Sequence, residues 1–130
     1  MKLDQEKIEK PIEDFLGIVN RLFKRKSLEF NSRNELTAKL ENGEPFDLRY
    51  LSSGEKQIII ILGEALLQLG TASVYLADEP ELSLHVEWQE KLVSSIRELN
   101  SGAQLVFATH SPDIVSEYGD RVIDMERVLQ

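Results

Sequence analysis

Two adjacent carboxylates, Asp78 and Glu79, follow a short apolar segment, Val74 to Ala77. Charge at the end of a buried strand is costly unless the carboxylates have partners. At such a position one carboxylate can hold Mg²⁺, directly or through water. The next can orient or deprotonate a water molecule, and a positioned general base contributes about 10²–10⁴ in rate. The alternative is an ordinary charged loop just beyond a strand.

A run of small polar residues, Ser52-Ser53-Gly54-Glu55, opens a predicted helix and offers a second kind of chemistry. Backbone N–H groups at a helix start, together with the helix dipole, make an anion site suited to a phosphate. Gly54 would let a phosphate approach the backbone closely. The alternative is an ordinary N-cap, in which one serine caps the helix and Glu55 or a neighbouring residue completes the cap.

The chain has two histidines, and each lies near one of these candidate positions. His110 follows the apolar segment Leu105 to Ala108, where it could donate a hydrogen bond to a phosphate oxygen. His85 comes shortly after the two carboxylates, where it could meet a partner subunit. A capping or satisfied loop histidine is the alternative for His110. An ordinary residue at a helix N-terminus is the alternative for His85.

Alternating strands and helices in the second half of the chain must position these residues. The predicted order is helix, strand, helix, strand, short helix and last strand. The helices are predicted at Ser53–Leu69 (with Gly70 as C-cap), at Leu84–Leu99 and from Ser111-Pro112 onward. The strands are predicted at Val74–Ala77, Gln104–Ala108 and Arg121–Met125. This order implies crossover connections and a parallel sheet. In such sheets, ligands bind at the carboxyl ends of the strands, which is where the carboxylates and His110 fall.

The first half of the chain predicts a helix followed by a β-hairpin. Apolar residues recur at helical spacing between Asp4 and Lys26, and Pro11 and Gly17 favour a kink. Alternating residues predict strands around Leu28–Phe30 and Leu36–Leu40, a turn at Asn42-Gly43 and a returning strand through Phe46 and Leu48.

Composition is ordinary for a globular protein, and it excludes several classes of function. Apolar residues make up 42% of the 130 residues, and the longest uninterrupted apolar run, Ile58 to Leu62, is far shorter than the roughly 18 residues that span a bilayer. The chain has no cysteine, so disulfides and thiolate metal sites are excluded. A net charge of −8 disfavours a direct nucleic-acid contact. We expect a cytoplasmic protein with no membrane partner.

Taken together and in order, these motifs resemble those of ABC-type ATPase nucleotide-binding domains. The segment Leu51 to Gln57 (LSSGEKQ) resembles the signature motif, Asp78-Glu79 the Walker B pair, Ser83-Leu84-His85 the D-loop, and His110 the switch histidine. The segments LADEPELSLH and FATHSP are most similar to those of soluble AAA-family ATPases of the SMC, RecF and overcoming-lysogenisation-defect kind. The resemblance covers about Leu28 to Leu129 and implies an α/β fold, a parallel-sheet P-loop NTPase half-domain with an N-terminal helix and β-hairpin.

The resemblance also implies ATP and Mg²⁺ as cofactors and a head-to-tail dimer that sandwiches two ATP molecules. In that mechanism Asp78 helps hold Mg²⁺, Glu79 is the general base and His110 senses the γ-phosphate. The signature residues Ser52, Ser53, Gly54 and Glu55 serve the ATP of the opposite subunit, and the D-loop residues Ser83, Leu84 and His85 couple the two sites.

One motif of the family is missing: no GxxxxGK[ST] phosphate loop occurs in these 130 residues. The whole chain, residues 1–130, therefore corresponds to the C-terminal portion of such a domain. Residues 1–50 form a helix plus a β-rich segment, and residues 51–130 carry the motifs. We expect it to bind ATP weakly or not at all alone.

Three interpretations follow. The chain could be the catalytic part of an ATPase, active with a homodimer or full-length ATPase partner that supplies the Walker A loop. It could be a non-catalytic module that docks on and regulates a full-length ATPase. It could be an α/β domain with no activity in isolation. DNA repair, chromosome maintenance and phage defence share these motifs, and nucleic acid would be reached through the wider assembly.

Overall fold

The computed structural model describes the backbone of residues 2–68 and 74–129, and the side chains of residues 9–68 and 74–129. The chain begins with helix α1 (Lys2–Leu22), which includes Pro11. The helix ends four residues before the predicted Lys26. The reason is that the side chain of Asn20 accepts a hydrogen bond from the backbone of Leu28 and donates one to it, at 2.7 and 3.0 Å. These bonds hold the next strand against the helix.

A three-stranded antiparallel sheet follows, formed by β1 (Lys26–Phe30), β2 (Leu36–Leu40) and β3 (Pro45–Phe46). The predicted hairpin turn is confirmed: Gly43 has φ 88°, a conformation that glycine adopts without steric cost. The returning strand is shorter than predicted. Leu48 lies in a short 3₁₀ helix (Leu48–Tyr50), because the side chain of Asp47 accepts a hydrogen bond from the backbone of Arg49 and caps that turn.

The second half alternates helices and strands as predicted. The elements are α2 (Ser53–Leu67), β4 (Val74–Asp78), α3 (Val86–Leu99), β5 (Gln104–Ala108) and α4 (Pro112–Val115). The two strands are parallel and pair Val74 with Gln104 and Asp78 with Ala108. α2 ends two residues before the predicted Leu69, and the predicted C-cap, Gly70, lies outside the described residues.

The predicted last strand over Arg121–Met125 is wrong. A 3₁₀ segment (Ser116–Arg121) is followed by an extended residue, Val122, and by a short helix, α5 (Met125–Val128). The side chain of Asp124 accepts a hydrogen bond from the backbone of Glu126 and starts that helix. Val122 and Ile123 are exposed, so within the described residues these apolar side chains have no sheet to join.

One apolar core joins the helices to both sheets. Its most deeply buried large side chains come from four elements and are Val19, Leu28, Ile58, Leu62, Leu92 and Ile96. Burying one such side chain contributes about 1.5–3 kcal/mol. None of the helices in the described part of the chain is long and apolar enough to cross a membrane.

The two faces of the parallel sheet differ. Tyr75 is buried and Phe107 is partly buried on the face that packs on the core. The hydroxyl of Tyr75 donates to Glu64 on α2, and burial together with that carboxylate raises the pKa of Tyr75. The alternate residues Val74, Leu76 and Val106 are exposed, Leu76 to 72%. Parallel sheets are normally covered on both faces, and no described residue covers this one.

Candidate functional site

The start of α2, where the signature resemblance lies, is built as a capping box. The hydroxyl of Ser52 accepts from the backbone N–H of Glu55, and the carboxylate of Glu55 accepts from the backbone N–H of Ser52 at 2.7 Å. Glu55 is buried and also accepts from Lys26 Nζ at 2.8 Å. Burial alone would raise the pKa of Glu55, but the hydrogen bonds from Lys26 and Ser52 outweigh it and hold the pKa below its ordinary value.

Capping leaves the two signature serines in different situations. Ser52 and Ser53 are both exposed, and the hydroxyl of Ser52 already serves as the cap. Ser53 is the first residue of α2, so its backbone faces the open end of the helix. Ser53 therefore remains the more available of the two for a ligand, whereas Glu55 is committed to its own chain.

Gly54 contacts Ser83, in the segment that resembles a D-loop. A Cβ at this position would overlap the carbonyl oxygen of Ser83, and Trp88 would lie 3.5 Å away. The close approach gives Gly54 a structural reason to lack a side chain, in addition to the phosphate approach expected from sequence. The signature and D-loop segments, 29 positions apart (83 − 54), are thus brought together by the fold.

The D-loop residues are held in three different ways. Ser83 is exposed and has φ 71°, the left-handed region that non-glycine residues seldom adopt. Leu84 is buried in the core. His85 precedes α3, and its ring packs edge-on against Trp88 with the ring centroids 5.3 Å apart. Ser83 and His85 are therefore the D-loop residues whose side chains face solvent.

The two candidate catalytic residues meet at the carboxyl ends of the parallel strands. Nε2 of His110 lies 3.6 Å from Oε1 of Glu79, and the side chain of His110 is 93% exposed. The backbone of Glu79 donates to Ala108 at 2.7 Å, which ties it to β5. Glu79 has φ 47°, and strained conformations of this kind concentrate at functional sites. Asp78, the last residue of β4, is exposed beside them.

Most of the chain matches one known family. Residues 3–116 match the family described as "AAA domain, putative AbiEii toxin, Type IV TA system". The chain is an AAA domain of this family. The ATPase resemblance seen in the motifs is thereby confirmed at the level of the family.

Two curated relatives resemble this AAA domain over part of their length. The Septu protein PtuA of Bacillus thuringiensis is 28% identical over 115 residues, which is 78% of this chain and 28% of PtuA. The "Retron Vc95 probable ATPase" of Vibrio cholerae serotype O1 biovar El Tor is 26% identical over 88 residues, 59% of this chain and 17% of that protein. The chain thus spans about a quarter or less of the relatives it matches.

Solved structures show the same fold in SMC ATPase heads. An SmcHead bound to the C-winged helix domain of ScpA superposes with a TM-score of 0.65 and 20% identity, covering 83% of this chain and 36% of that one. A second, from work on ATP-driven dimerization and DNA-stimulated activation of SMC ATPases, has a TM-score of 0.64 and 18% identity, covering 88% and 75%. The predicted α/β, P-loop NTPase fold is confirmed.

The acidic residues at the strand ends of this AAA domain can hold Mg²⁺ only together with a nucleotide. Among the described residues, no group of three or more His, Cys, Asp or Glu side chains could enclose a metal ion. Mg²⁺ is usually bound through one or two carboxylates plus substrate phosphates. Asp78 provides one exposed carboxylate of that kind, so the residues present fit a nucleotide-bound Mg²⁺.

Sequence analysis overlooked two residues at this edge, Glu81 and Gln89. Glu81 accepts hydrogen bonds from Thr109 and from the backbone of His110, and Gln89 accepts one from Ser111. Glu81 follows Glu79 by two positions, so its place in the same loop was visible in the sequence. Gln89 carried no such signal, because only the packing of α3 against α4 brings it to Ser111.

Proposed function

We propose that this AAA domain is the signature, Walker B and switch portion of an ATPase, which hydrolyses ATP with Mg²⁺ after a partner supplies the phosphate loop. The observation that carries this proposal is the 3.6 Å approach of His110 to Glu79 at the carboxyl ends of two parallel strands. A base and a γ-phosphate sensor must reach the same phosphate, and Glu79 and His110 follow two adjacent strands, which supports these roles. Of the processes that share these motifs, we propose phage defence as the one served, and the likeness to the "Retron Vc95 probable ATPase" supports the ATPase activity itself.

In this proposal each residue at the edge has one task. Asp78 would hold Mg²⁺ together with the nucleotide, and the ion would neutralise charge on the phosphates. Glu79 accepts a proton from the attacking water, and its backbone bond to Ala108 keeps the carboxylate beside β5. His110 donates a hydrogen bond to a γ-phosphate oxygen. Its imidazole is exposed and thus free to reach a nucleotide held by a partner.

A partner is required because the edge carries the wrong charge for ATP. Among the described residues, no Lys or Arg forms an ion pair with Asp78, Glu79 or Glu81, and the pairing of Glu79 is with His110. The carboxylates would repel a triphosphate unless cationic groups came from elsewhere. A phosphate loop provides them through its lysine and its backbone N–H groups.

The exposed face of the β4–β5 sheet offers a place for the partner to pack. Val74, Leu76 and Val106 form an apolar surface beside the catalytic edge. The SMC head of the same fold is much longer than the matched region, which is 36% of its chain. We infer that the segment carrying the phosphate loop covers this face and extends the sheet, whether it belongs to a second copy of the whole protein or to a separate ATPase. The exposed signature serines would then serve the ATP of the opposite subunit.

The test is the Glu79→Gln variant, assayed together with a co-expressed ATPase segment that carries a GxxxxGK[ST] loop. Loss of the base should slow phosphate release by about 10²–10⁴. ATP-dependent association, followed by size-exclusion chromatography, should persist because binding does not need the base. Glu90→Gln, an exposed change on α3, is the matched control. Phosphate release by Glu79→Gln at the wild-type rate would rule out Glu79 as the base.

The alternative is a non-catalytic module that docks on a full-length ATPase and regulates it. The apolar sheet face and the absence of a phosphate loop from the sequence also suit this role. The two proposals differ in one result. If the chain is a regulatory module, wild type and Glu79→Gln should change the turnover of the full-length ATPase to the same extent. If the chain is a catalytic portion, Glu79→Gln should no longer contribute to turnover.

A further inference from the structure

We propose that Glu81 and Gln89 are positioning residues that clamp the switch loop, residues 109–111, and thereby set the reach of His110 toward Glu79. The proposal rests on the proposed ATPase function for its catalytic consequence, while the clamp itself is a structural claim. Glu81 lies within the segment LADEPELSLH but was given no role from the sequence, and Gln89 lies outside every motif singled out there. Both act through the backbone and the neighbours of His110, since the imidazole itself is exposed.

Glu81 holds the first half of the switch loop. Its Oε1 accepts from the hydroxyl of Thr109 at 2.5 Å and from the backbone N–H of His110 at 3.3 Å. The hydroxyl of Thr109 in turn accepts from the backbone N–H of Ser111 at 3.0 Å. One carboxylate oxygen therefore fixes the backbone on both sides of the His110 Cα, directly on one side and through Thr109 on the other.

Gln89 holds the second half of the loop and links it to the D-loop. Its Oε1 accepts from the hydroxyl of Ser111 at 2.5 Å, and its Nε2 donates to the carbonyl of Leu84 at 2.9 Å. The hydroxyl of Ser111 also accepts from the backbone of Ile114 and so caps α4. Gln89 is part of α3, a rigid element, and both of its amide atoms are used.

The clamp completes a continuous path of contacts between the two motifs that face different nucleotides. The signature glycine, Gly54, touches the carbonyl of Ser83, and the next residue, Leu84, is bound by Gln89. Gln89 then reaches the switch loop through Ser111. In the proposed assembly the signature contacts the ATP of the opposite subunit, whereas His110 contacts the nucleotide that the partner's phosphate loop holds at this chain's strand ends. A shift of the D-loop on dimer formation would thus move the switch loop through one glutamine.

The two carboxylate oxygens of Glu81 differ in their contacts. Its second oxygen, Oε2, is buried and has no hydrogen-bond partner among the described residues. Only one of the two oxygens therefore contacts the loop. A glutamine at this position keeps one acceptor oxygen for both contacts and removes the carboxylate charge.

The first experiment measures amide hydrogen exchange by NMR in the 130-residue chain, without nucleotide. In Glu81→Ala, exchange at His110 should accelerate about threefold to tenfold, the loss of one modest hydrogen bond. Glu81→Gln should retain the protection. In Gln89→Ala the amide of Ile114 should lose protection, whereas Gln89→Glu, which keeps the acceptor for Ser111, should retain it. Glu90→Gln is the control on the same helix.

Unchanged exchange at His110 in Glu81→Ala would overturn the clamp, and so would equal loss in Glu81→Gln. Thr109→Val gives a second route if Glu81→Ala does not fold, because it removes the hydroxyl while keeping the shape of the side chain. Its expected result is lost protection at Ser111, and full protection there would also overturn the clamp.

The second experiment measures ATP turnover in the complemented assembly. Glu81→Ala and Gln89→Ala should each lower kcat about threefold to tenfold and leave KM for ATP unchanged, since neither residue touches the nucleotide. A rise in KM with unchanged kcat would contradict a positioning role. If the wild-type assembly releases no phosphate, the proposed function fails, and the exchange data still decide whether the clamp exists.

Discussion

The start of α2 and the carboxyl ends of β4 and β5 both carry polar residues, but the fold treats the two regions differently. At the start of α2, the carboxylate of Glu55 is buried and its partners, Ser52 and Lys26, belong to the same chain. At the strand ends, His110 is exposed and Glu79 is half-buried, and Glu79 is held in a left-handed conformation. The first region is organised for stability, and the second keeps an exposed and a strained residue available for a ligand.

The largest expected effect tests the first region through Gly54→Ala. An alanine Cβ would overlap the carbonyl of Ser83, so the D-loop or α2 must shift. We expect a loss of about 2–3 kcal/mol in the free energy of unfolding, measured by urea denaturation. Gly63→Ala, in the same helix with open space around its Cβ, is the matched control. It should gain about 0.5–1 kcal/mol from helix propensity. Equal effects of the two changes would show that the contact with Ser83 is unimportant.

Glu55→Gln sharpens the comparison through pH. The pKa of Glu55 in the folded chain lies below its ordinary value of 4.5, so ionised Glu55 adds stability at neutral pH. That contribution is complete above the ordinary value and is lost as pH falls through the lowered folded value. The variant should be less stable by about 1–2 kcal/mol at pH 7, as expected for hydrogen bonds to a charged group beside a partly exposed lysine.

The check on Glu55 is the difference in unfolding free energy between wild type and variant, measured at several pH values. The difference should shrink as the pH is lowered below 4.5. Glu98→Gln, which breaks an exposed pair with Arg21, should cost less than about 1 kcal/mol. A difference for Glu55→Gln that stays constant down to acid pH would mean that the ion pair does not stabilise the fold.

The smallest effect should have the opposite sign, and it belongs to the second region. Glu79→Gly relieves a φ of 47° and removes a half-buried side chain, so urea denaturation should show a gain of about 1 kcal/mol. Glu90→Gly, inside α3, should instead lose about 1 kcal/mol. Destabilisation by Glu79→Gly would mean that the carboxylate serves the fold and would weaken the contrast between the two regions.

Several elements followed from local pattern because local physics decides them. The strand Gln104–Ala108 was predicted with its observed bounds, and the short helix that Ser111 caps was predicted with its observed start at Pro112. The turn at Gly43 needed only a residue that tolerates positive φ. The last strand was predicted wrongly because strand formation is not decided by local pattern alone. A strand needs a neighbour to bond with, and residues 121–125 have none among the described residues, so the Asp124 cap prevails.

The sequence by itself determined which residues could do chemistry and in what order they occur, since motif spacing and strand ends can be read from side-chain type. It also indicated the family, because Ser52 to Glu55, Asp78-Glu79 and His110 keep the order of a known ATPase. Only the tertiary structure decided which of these residues meet. Hydrogen bonds and van der Waals contacts act over a few ångströms, so Gly54 reaches Ser83, and Gln89 reaches Ser111, only after α2, α3 and β5 have packed on one core.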